Sequence, residues 1–195
     1  KSAGTVCLFD DSISHEYWDM RLFGFQSYER MEAEEKGSAG FDKTGTLVVA
    51  TNPEVEAYIK AGIALAQGAG YTGEYITDKA RIKEICPDLN LDDALGAGWT
   101  ADDGYFDATM ASNTYAKKMK ANGGQVYPFT KVENLKKSGN KVTGIETNKG
   151  SHDFDLVVDA SGAWTRYTSR MAGLELPIWH TKAEVFFLVP PKQKL

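Results

Sequence analysis

The sequence has little cysteine and no long apolar run. Its 195 residues include only Cys7 and Cys86, which have no metal-ligand spacing and do not suggest a disulfide framework. No apolar stretch approaches the roughly 20 residues that span a bilayer, so we expect no transmembrane helix. Nothing at the start resembles a signal peptide, and a cytoplasmic location is therefore the default expectation.

Basic residues are in the minority. The chain has 22 Lys and Arg against 27 Asp and Glu, which gives a net charge of −5. Because charges of both signs are interspersed, we expect no nucleic acid as the main partner. The three histidines, His15, His152 and His180, are scattered without metal-ligand spacing. We therefore predict no metal site and expect each histidine to be a surface or packing residue.

Several motifs of catalytic and nucleotide sites are also missing. The sequence contains no Gly-x-Gly-x-x-Gly, no phosphate-binding Gly-Lys-Ser/Thr loop and no Gly-x-Ser-x-Gly elbow. The piece Gly96-Ala97-Gly98 does not qualify, because neither a third glycine nor a helix start follows it. These absences leave the sequence without a motif that alone identifies a reaction.

The most informative stretch is residues 155–164. Asp155 to Asp159 is a nearly continuous apolar run, which predicts a strand buried on both faces of an α/β sheet. The small residues 160–163 follow, and then a segment that can be helical. Small side chains at the carboxyl end of a strand let a ligand approach the backbone closely, which is where open α/β sheets bind ligands. A tight strand-to-helix turn without a ligand is the alternative.

Helix and strand signals flank this stretch on both sides. Asn52 followed by Pro53 is a strong helix start, and residues 132–154 carry the pattern of a three-stranded antiparallel meander. Further helices are predicted near His15, after Thr77, from about Asp107 and after Trp164, with strands at residues 46–50, 125–127 and beyond Pro177. This order predicts an α/β or mixed α+β fold.

A set of short motifs resembles the D-amino-acid oxidase superfamily, in its branch of sarcosine and glycine oxidases and dimethylglycine, sarcosine and proline dehydrogenases. The motifs are Asp102-Asp103-Gly104-Tyr105-Phe106-Asp107-Ala108, Gly124-Gln125-Val126-Tyr127-Pro128, Val142-Thr143-Gly144-Ile145-Glu146-Thr147, Val157 to Trp164 and Leu174-Glu175-Leu176-Pro177-Ile178. Their order and spacing over residues 99–178 make the resemblance specific. The first hundred residues agree more weakly.

The resemblance implies FAD as the cofactor, bound by a Rossmann-like region that is interleaved with an antiparallel-sheet substrate region. The FAD-binding region would comprise residues 1–34 and 104–177, and the substrate-binding region residues 35–103 and 178–195. By analogy the cofactor-binding residues would be Ser2, Ala3 and Gly4 beside the flavin ring, Val132 at the adenine through its backbone, and Ala160, Ser161, Gly162 and Trp164 beside the ADP portion.

The resemblance also implies a reaction and shows where the sequence departs from the family. The substrate would be an amine or amino acid that passes a hydride to flavin and becomes an imine. The family's glycine fingerprint is expected before Lys1 and its second flavin segment after Leu195. Cys7 and Asp10 stand where some relatives carry arginines, which puts recognition of a simple carboxylate there in doubt. No catalytic residue is assigned, and residues 1–195 alone are expected to be inactive.

Two other functions stay open. One is a non-catalytic binding or assembly module that packs residues 155–164 against a partner. The other is a flavoprotein of the same superfamily that acts on a hydroxy acid. Apolar strands with unpaired edges also predict self-association, so a homo-oligomer is expected.

Overall fold

The computed structural model describes residues 4–9 and 15–179. They fall into two compact units. The larger unit contains residues 4–9 and 15–124, and the smaller unit contains residues 125–179. The boundary at Gly124 lies inside the predicted FAD-binding region, whose division from the substrate region stays a prediction. Some predictions fall outside the described residues. They concern Ser2, Ala3, Asp10, His180 and most of the strand expected beyond Pro177.

The larger unit combines two small antiparallel sheets with helices. Its strands are β1 (Thr5–Val6), β2 (Asp42–Lys43), β3 (Thr46–Ala50), β4 (Glu74–Ile76), β5 (Gly96–Thr100) and β6 (Gly104–Tyr105). Its α-helices are α1 (Trp18–Glu34), α2 (Pro53–Gly68), α3 (Lys79–Ile85) and α4 (Ala108–Ala121). One sheet has the order β1-β6-β2 and the other the order β3-β5-β4.

Local side-chain hydrogen bonds explain where α2, α3 and α4 begin. Asn52 caps α2 by accepting a hydrogen bond from the Val55 amide at 2.9 Å, and Pro53 occupies the first turn, as predicted. Asp107 caps α4 through the amides of Thr109 and Met110. The prediction of Thr77 as a cap is wrong, because Asp78 caps α3. An Asp carboxylate accepts hydrogen bonds at a helix start at least as well as a Thr hydroxyl.

Strand β5 is the centre of the second sheet and is covered on both faces. Successive residues of a strand face opposite sides of the sheet. Gly98 therefore faces Ile59 and Ile63 of α2, and Ala97 faces the other side, where it packs with Ile82 of α3. Residues 96–99, a glycine- and aromatic-rich piece for which the sequence predicted no helix or strand, thus belong to the most enclosed strand of the unit. Glycine there allows the helix to lie close to the sheet.

The smaller unit is a meander followed by a helix. Strands β7 (Val132–Ser138), β8 (Lys141–Thr147) and β9 (Gly150–Asp153) pair in sequence order, which confirms the predicted meander. A single 3₁₀ turn over Gly162–Trp164 leads into α5 (Thr165–Met171). The brief strand predicted over residues 125–127 is absent, since these residues have no regular structure.

The predicted buried strand over residues 155–160 is also wrong. The described segment has neither helix nor strand, and Leu156 and Val158 are 78% and 77% exposed. A strand needs backbone partners at its edges, and among the described residues no other strand pairs with this segment. Val157, which lies between the two exposed side chains, is half-buried.

Five α-helices and three small antiparallel sheets in the described residues confirm the predicted mixed α/β fold. None of the helices in this part of the chain is long and apolar enough to cross a membrane.

Replacement of Gly98 by alanine tests the close approach of α2 to β5. A Cβ at Gly98 would lie 2.4 Å from Ile59 Cγ2 and 2.9 Å from Phe9 Cε2, and Ile59 and Phe9 are fully buried. We expect Gly98→Ala to lower the free energy of unfolding by about 1–3 kcal/mol, because overpacking forces neighbours to shift. Gly68→Ala is the control, since a Cβ there meets no atom within 4 Å. Equal urea midpoints for the two variants would contradict the packing argument.

Candidate functional site

The smaller unit contains a cleft of about 800 Å³ between the meander and α5. The meander contributes Val132, Leu135, Val142 and Ile145 to the lining, and Leu135 is buried. The two lining positions of each strand are three residues apart, which strict alternation would place on opposite faces. The irregularities that interrupt the pairing between Val132 and Leu135 in β7 and between Val142 and Ile145 in β8 bring these side chains to the same side. This wall of the cleft is apolar and held by a hydrogen-bonded sheet.

The opposite wall comes from α5 and the chain that follows it. Thr168, Met171, Ala172, Leu174 and Leu176 line this side. Residues 168, 171 and 172 lie three and four positions apart, which places them on one face of a helix. The extended residues 157–161 close a third side.

Hydrogen bonds fix the small residues of the segment against the start of α5. The Ser161 amide donates to Asp159 Oδ1 at 2.9 Å, a local turn that Asp favours. The hydroxyls of Ser161 and Thr168 lie 2.9 Å apart, and the Thr168 hydroxyl donates to the Trp164 carbonyl at 3.1 Å. The hydroxyls of this side are thus mostly engaged with each other, which leaves the cleft apolar.

Val132 gives the cleft a polar backbone edge. The Lys131 amide donates to Asn148 Oδ1 at 2.9 Å, and its carbonyl accepts from the Asn148 amide at 3.1 Å. Backbone groups of successive strand residues point in opposite directions. The amide and carbonyl of Val132 therefore point away from β8, toward the edge of β7 that no described strand covers.

An ion pair ties the far wall to α5. Glu175 accepts hydrogen bonds from Arg170 Nε at 2.9 Å and from Arg170 Nη2 at 2.6 Å, and Arg166 Nη2 lies 3.3 Å from the same carboxylate. Arg170 first and Arg166 second lower the pKa of Glu175 to about 2. Glu175 thus stays charged at any physiological pH and holds residues 174–176 near the helix.

Four of the eight predicted cofactor residues line this cleft, namely Val132, Ala160, Ser161 and Trp164. Gly162 is adjacent, in the 3₁₀ turn, with a φ of +59°. Gly4 belongs to the larger unit, where its carbonyl accepts from the Phe106 amide at 2.8 Å. A Cβ on Gly4 would lie 2.4 Å from the Phe106 carbonyl oxygen, so local packing alone requires glycine there. The roles of all these residues stay predictions.

The wall formed by Thr168, Met171, Leu174 and Leu176 was not predicted from the sequence. The helix after Trp164 was predicted, but which of its faces lines the cleft was not. The spacing of Thr168, Met171 and Ala172 was the available signal.

The arrangement suits a ligand with a flat apolar body and a hydrogen-bonding edge. The apolar walls exclude water from such a body, and the Val132 backbone offers one donor and one acceptor side by side. Lys131 also lines the cleft and adds a cationic side chain. No group of His, Cys, Asp or Glu in the described ranges is arranged to hold a metal ion.

A profile of the DAO family, described as FAD dependent oxidoreductase, matches residues 1–195. The rat mitochondrial dimethylglycine dehydrogenase is 32% identical over 154 residues, which are 77% of this chain and 18% of that protein. Human mitochondrial sarcosine dehydrogenase is 28% identical over 158 residues, 76% of this chain and 17% of that protein. The chain thus spans less than a fifth of either relative.

The fold of the chain is also found among solved structures. The crystal structure of L-proline dehydrogenase from P. horikoshii superimposes with a TM-score of 0.67 at 26% sequence identity. The match covers 89% of this chain and 47% of that one.

Substitutions at Gly162 separate backbone strain from lack of space. A Cβ at this position meets nothing within 4 Å, but φ is +59°. We expect Gly162→Val to lower the free energy of unfolding by about 1–3 kcal/mol, because a β-branched residue is strained in the left-handed region. Gly162→Asn is the matched control and should cost less, since Asn tolerates this conformation. Thermal unfolding of the two ligand-free variants measures the difference, and equal melting temperatures would contradict it.

Proposed function

The chain belongs to the DAO family of FAD-dependent oxidoreductases, and on that premise we propose that its smaller unit binds the adenine portion of FAD in an enzyme that oxidises amines or amino acids. The observation that carries the proposal is the cleft, where an apolar interior meets the outward backbone edge of Val132. Adenine has this combination of a flat apolar face and an edge with one donor and one acceptor.

The residues present fit the cofactor on three sides. The outward amide and carbonyl of Val132 would hold the adenine edge, and Leu135 and Met171 would cover its faces. Ala160 and Gly162 carry little or no side chain beside the cleft and would admit the sugar and phosphates. Lys131 would contribute positive charge near the anionic part. Trp164, 68% exposed, would pack against the bound nucleotide.

FAD, when bound, supplies the hydride acceptor of such a reaction. The contribution of the smaller unit is to position the cofactor, because apolar side chains and backbone groups form most of the cleft lining. Ser2, Ala3 and Gly4 are proposed for the flavin-side segment, as the family resemblance implies.

The proposed substrate class is an amino acid whose amine nitrogen, with or without alkyl groups, is attached to the carbon that bears the carboxylate. The names of the relatives support it, since dimethylglycine, sarcosine and proline are all amino acids whose nitrogen carries alkyl groups or lies in a ring. Cys7 and Asp10 stand where some relatives carry arginines. We therefore name no single amino acid as the substrate.

Anaerobic reduction of the bound flavin tests the reaction. We expect the absorbance of the flavin-loaded protein near 450 nm to bleach on mixing with sarcosine, dimethylglycine or proline, and to persist with 2-hydroxy acids. Bleaching by hydroxy acids alone would reassign the substrate class. Failure of the protein to take up any flavin would support a non-catalytic module.

Substitution of Val132 tests the adenine site. Proline at position 132 removes the outward amide, which makes no bond to β8, so the sheet should tolerate it as edge strands do. We expect Val132→Pro to weaken FAD binding about tenfold or more, as loss of one buried hydrogen bond predicts. Val132→Thr keeps the amide and serves as the control. Flavin fluorescence during titration gives both dissociation constants, and ADP should compete with FAD. Equal affinities of the two variants would contradict the assignment.

A further inference from the structure

Asp103 is a carboxyl enclosed in the larger unit. Its side chain is fully buried, and its Oδ1 accepts a hydrogen bond from the Leu8 amide at 2.8 Å. Its Oδ2 is also buried and makes no hydrogen bond within the described part of the chain. The Asp103 backbone is equally fixed, because its carbonyl accepts from the amides of Thr44 and Gly45. The carboxyl is therefore a rigid acceptor placed against residue 8.

The segment 4–9 is held at two places, one on each side of Cys7. Before Cys7, β1 pairs with β6, with Thr5 opposite Tyr105 and Val6 opposite Gly104. After Cys7, Leu8 donates its amide to Asp103 and accepts at its carbonyl from Arg21 Nη1 at 3.2 Å. Leu8 and Phe9 are fully buried. The second of these attachments includes a titratable group.

The surroundings of Asp103 oppose its charge. Burial is the main cause that raises the pKa of this carboxyl to about 6, and the neighbouring Asp102 adds to it. The Leu8 amide, the Thr46 side chain and Arg21 on α1 act in the other direction without cancelling the effect. The Asp103 carboxyl is therefore expected to change its charge near neutral pH. It does so in an enclosed place where its Oδ2 makes no hydrogen bond within the described residues.

We propose that the Asp103 carboxyl is a proton-dependent latch on residues 4–9, which holds Leu8 in place while it is neutral and loosens it when it loses its proton to solvent. The ionised carboxylate is stabilised by water, and opening of the segment admits water to the unbonded Oδ2. The latch involves only residues of the larger unit and does not depend on the proposed flavin site.

The direction follows from linkage. In the open state, with Leu8 released, the pKa of the Asp103 carboxyl is near its ordinary value of 3.8. In the closed state, with Leu8 held, this pKa is about 6. The closed state therefore binds the proton more tightly, so its advantage is complete at pH below about 4 and is lost as pH rises through 6. The equilibrium constant for opening should increase by about tenfold to a hundredfold between pH 4 and pH 8.

Alkylation of Cys7 measures the opening. Cys7 lies between the two attachments and is half-buried, and Cys86, which also has intermediate exposure, lies outside the segment. Iodoacetamide is applied from pH 5 to pH 8, and peptide mass spectrometry gives the ratio of Cys7 to Cys86 modification, which corrects for the dose of reagent at each pH. We expect this ratio to rise about tenfold, with a midpoint near pH 6.

Two variants separate the latch from general loosening. Asp103→Asn cannot ionise, so the ratio should no longer depend on pH. Asp102→Asn is the control. Lys43 and Thr72 lower the pKa of Asp102, so it stays ionised over this range and its variant should keep the rise. If Asp103→Asn does not fold, carbon-13 NMR of the wild-type Asp103 carboxyl replaces it, and its titration midpoint must match that of the ratio. A flat wild-type ratio, a rise that persists in Asp103→Asn, or midpoints more than one pH unit apart would overturn the proposal.

Discussion

The larger unit depends on the contact between the glycine at the middle of β5 and the helix above it. Because Gly98 has no side chain, Ile59 and Ile63 of α2 reach the sheet and meet Phe9 there. The same helix face and Phe25 of α1 enclose Val6 and Leu8. The N-terminal segment, two helices and one sheet thus share a single apolar core, and the position of residues 4–9 follows from how closely α2 lies on β5.

The smaller unit is organised differently, with one regular and one irregular wall around its cleft. The strands of the meander pair with one another, whereas residues 155–160 have no strand partner among the described residues. Their place is fixed by a few specific contacts, chiefly the turn at Asp159 and the hydroxyl pair of Ser161 and Thr168. Such a wall can hold small residues beside a ligand, because nothing bulky is needed there to complete a core.

Local signals predicted much of this structure correctly. The Asn52 cap, the helix start near Asp107 and the hairpin of β7 and β8 are set by interactions within a few residues, and sequence patterns capture those well. The strand over residues 155–160 failed for the opposite reason, since an apolar run becomes a strand only when partners lie beside it. Likewise, Gly96 to Trp99 carries a glycine pattern typical of a loop, and only packing against α2 makes it a central strand. Ala160, Ser161 and Trp164, which the family resemblance implied, line the cleft, and their role stays a prediction. The helical wall of the cleft and the buried Asp103 depend on tertiary contacts that no local pattern contains.

The apolar character of the cleft has a calorimetric consequence. A ligand that fills the space between Val132, Leu135 and Met171 removes apolar surface from water, and this makes the heat capacity change of binding negative. A ligand held only by charged groups at the surface, such as those around Glu175, would bury little apolar area and leave the heat capacity nearly unchanged. The temperature dependence of the binding enthalpy therefore reports whether an occupant enters the cleft or remains at its rim, independently of how tightly it binds.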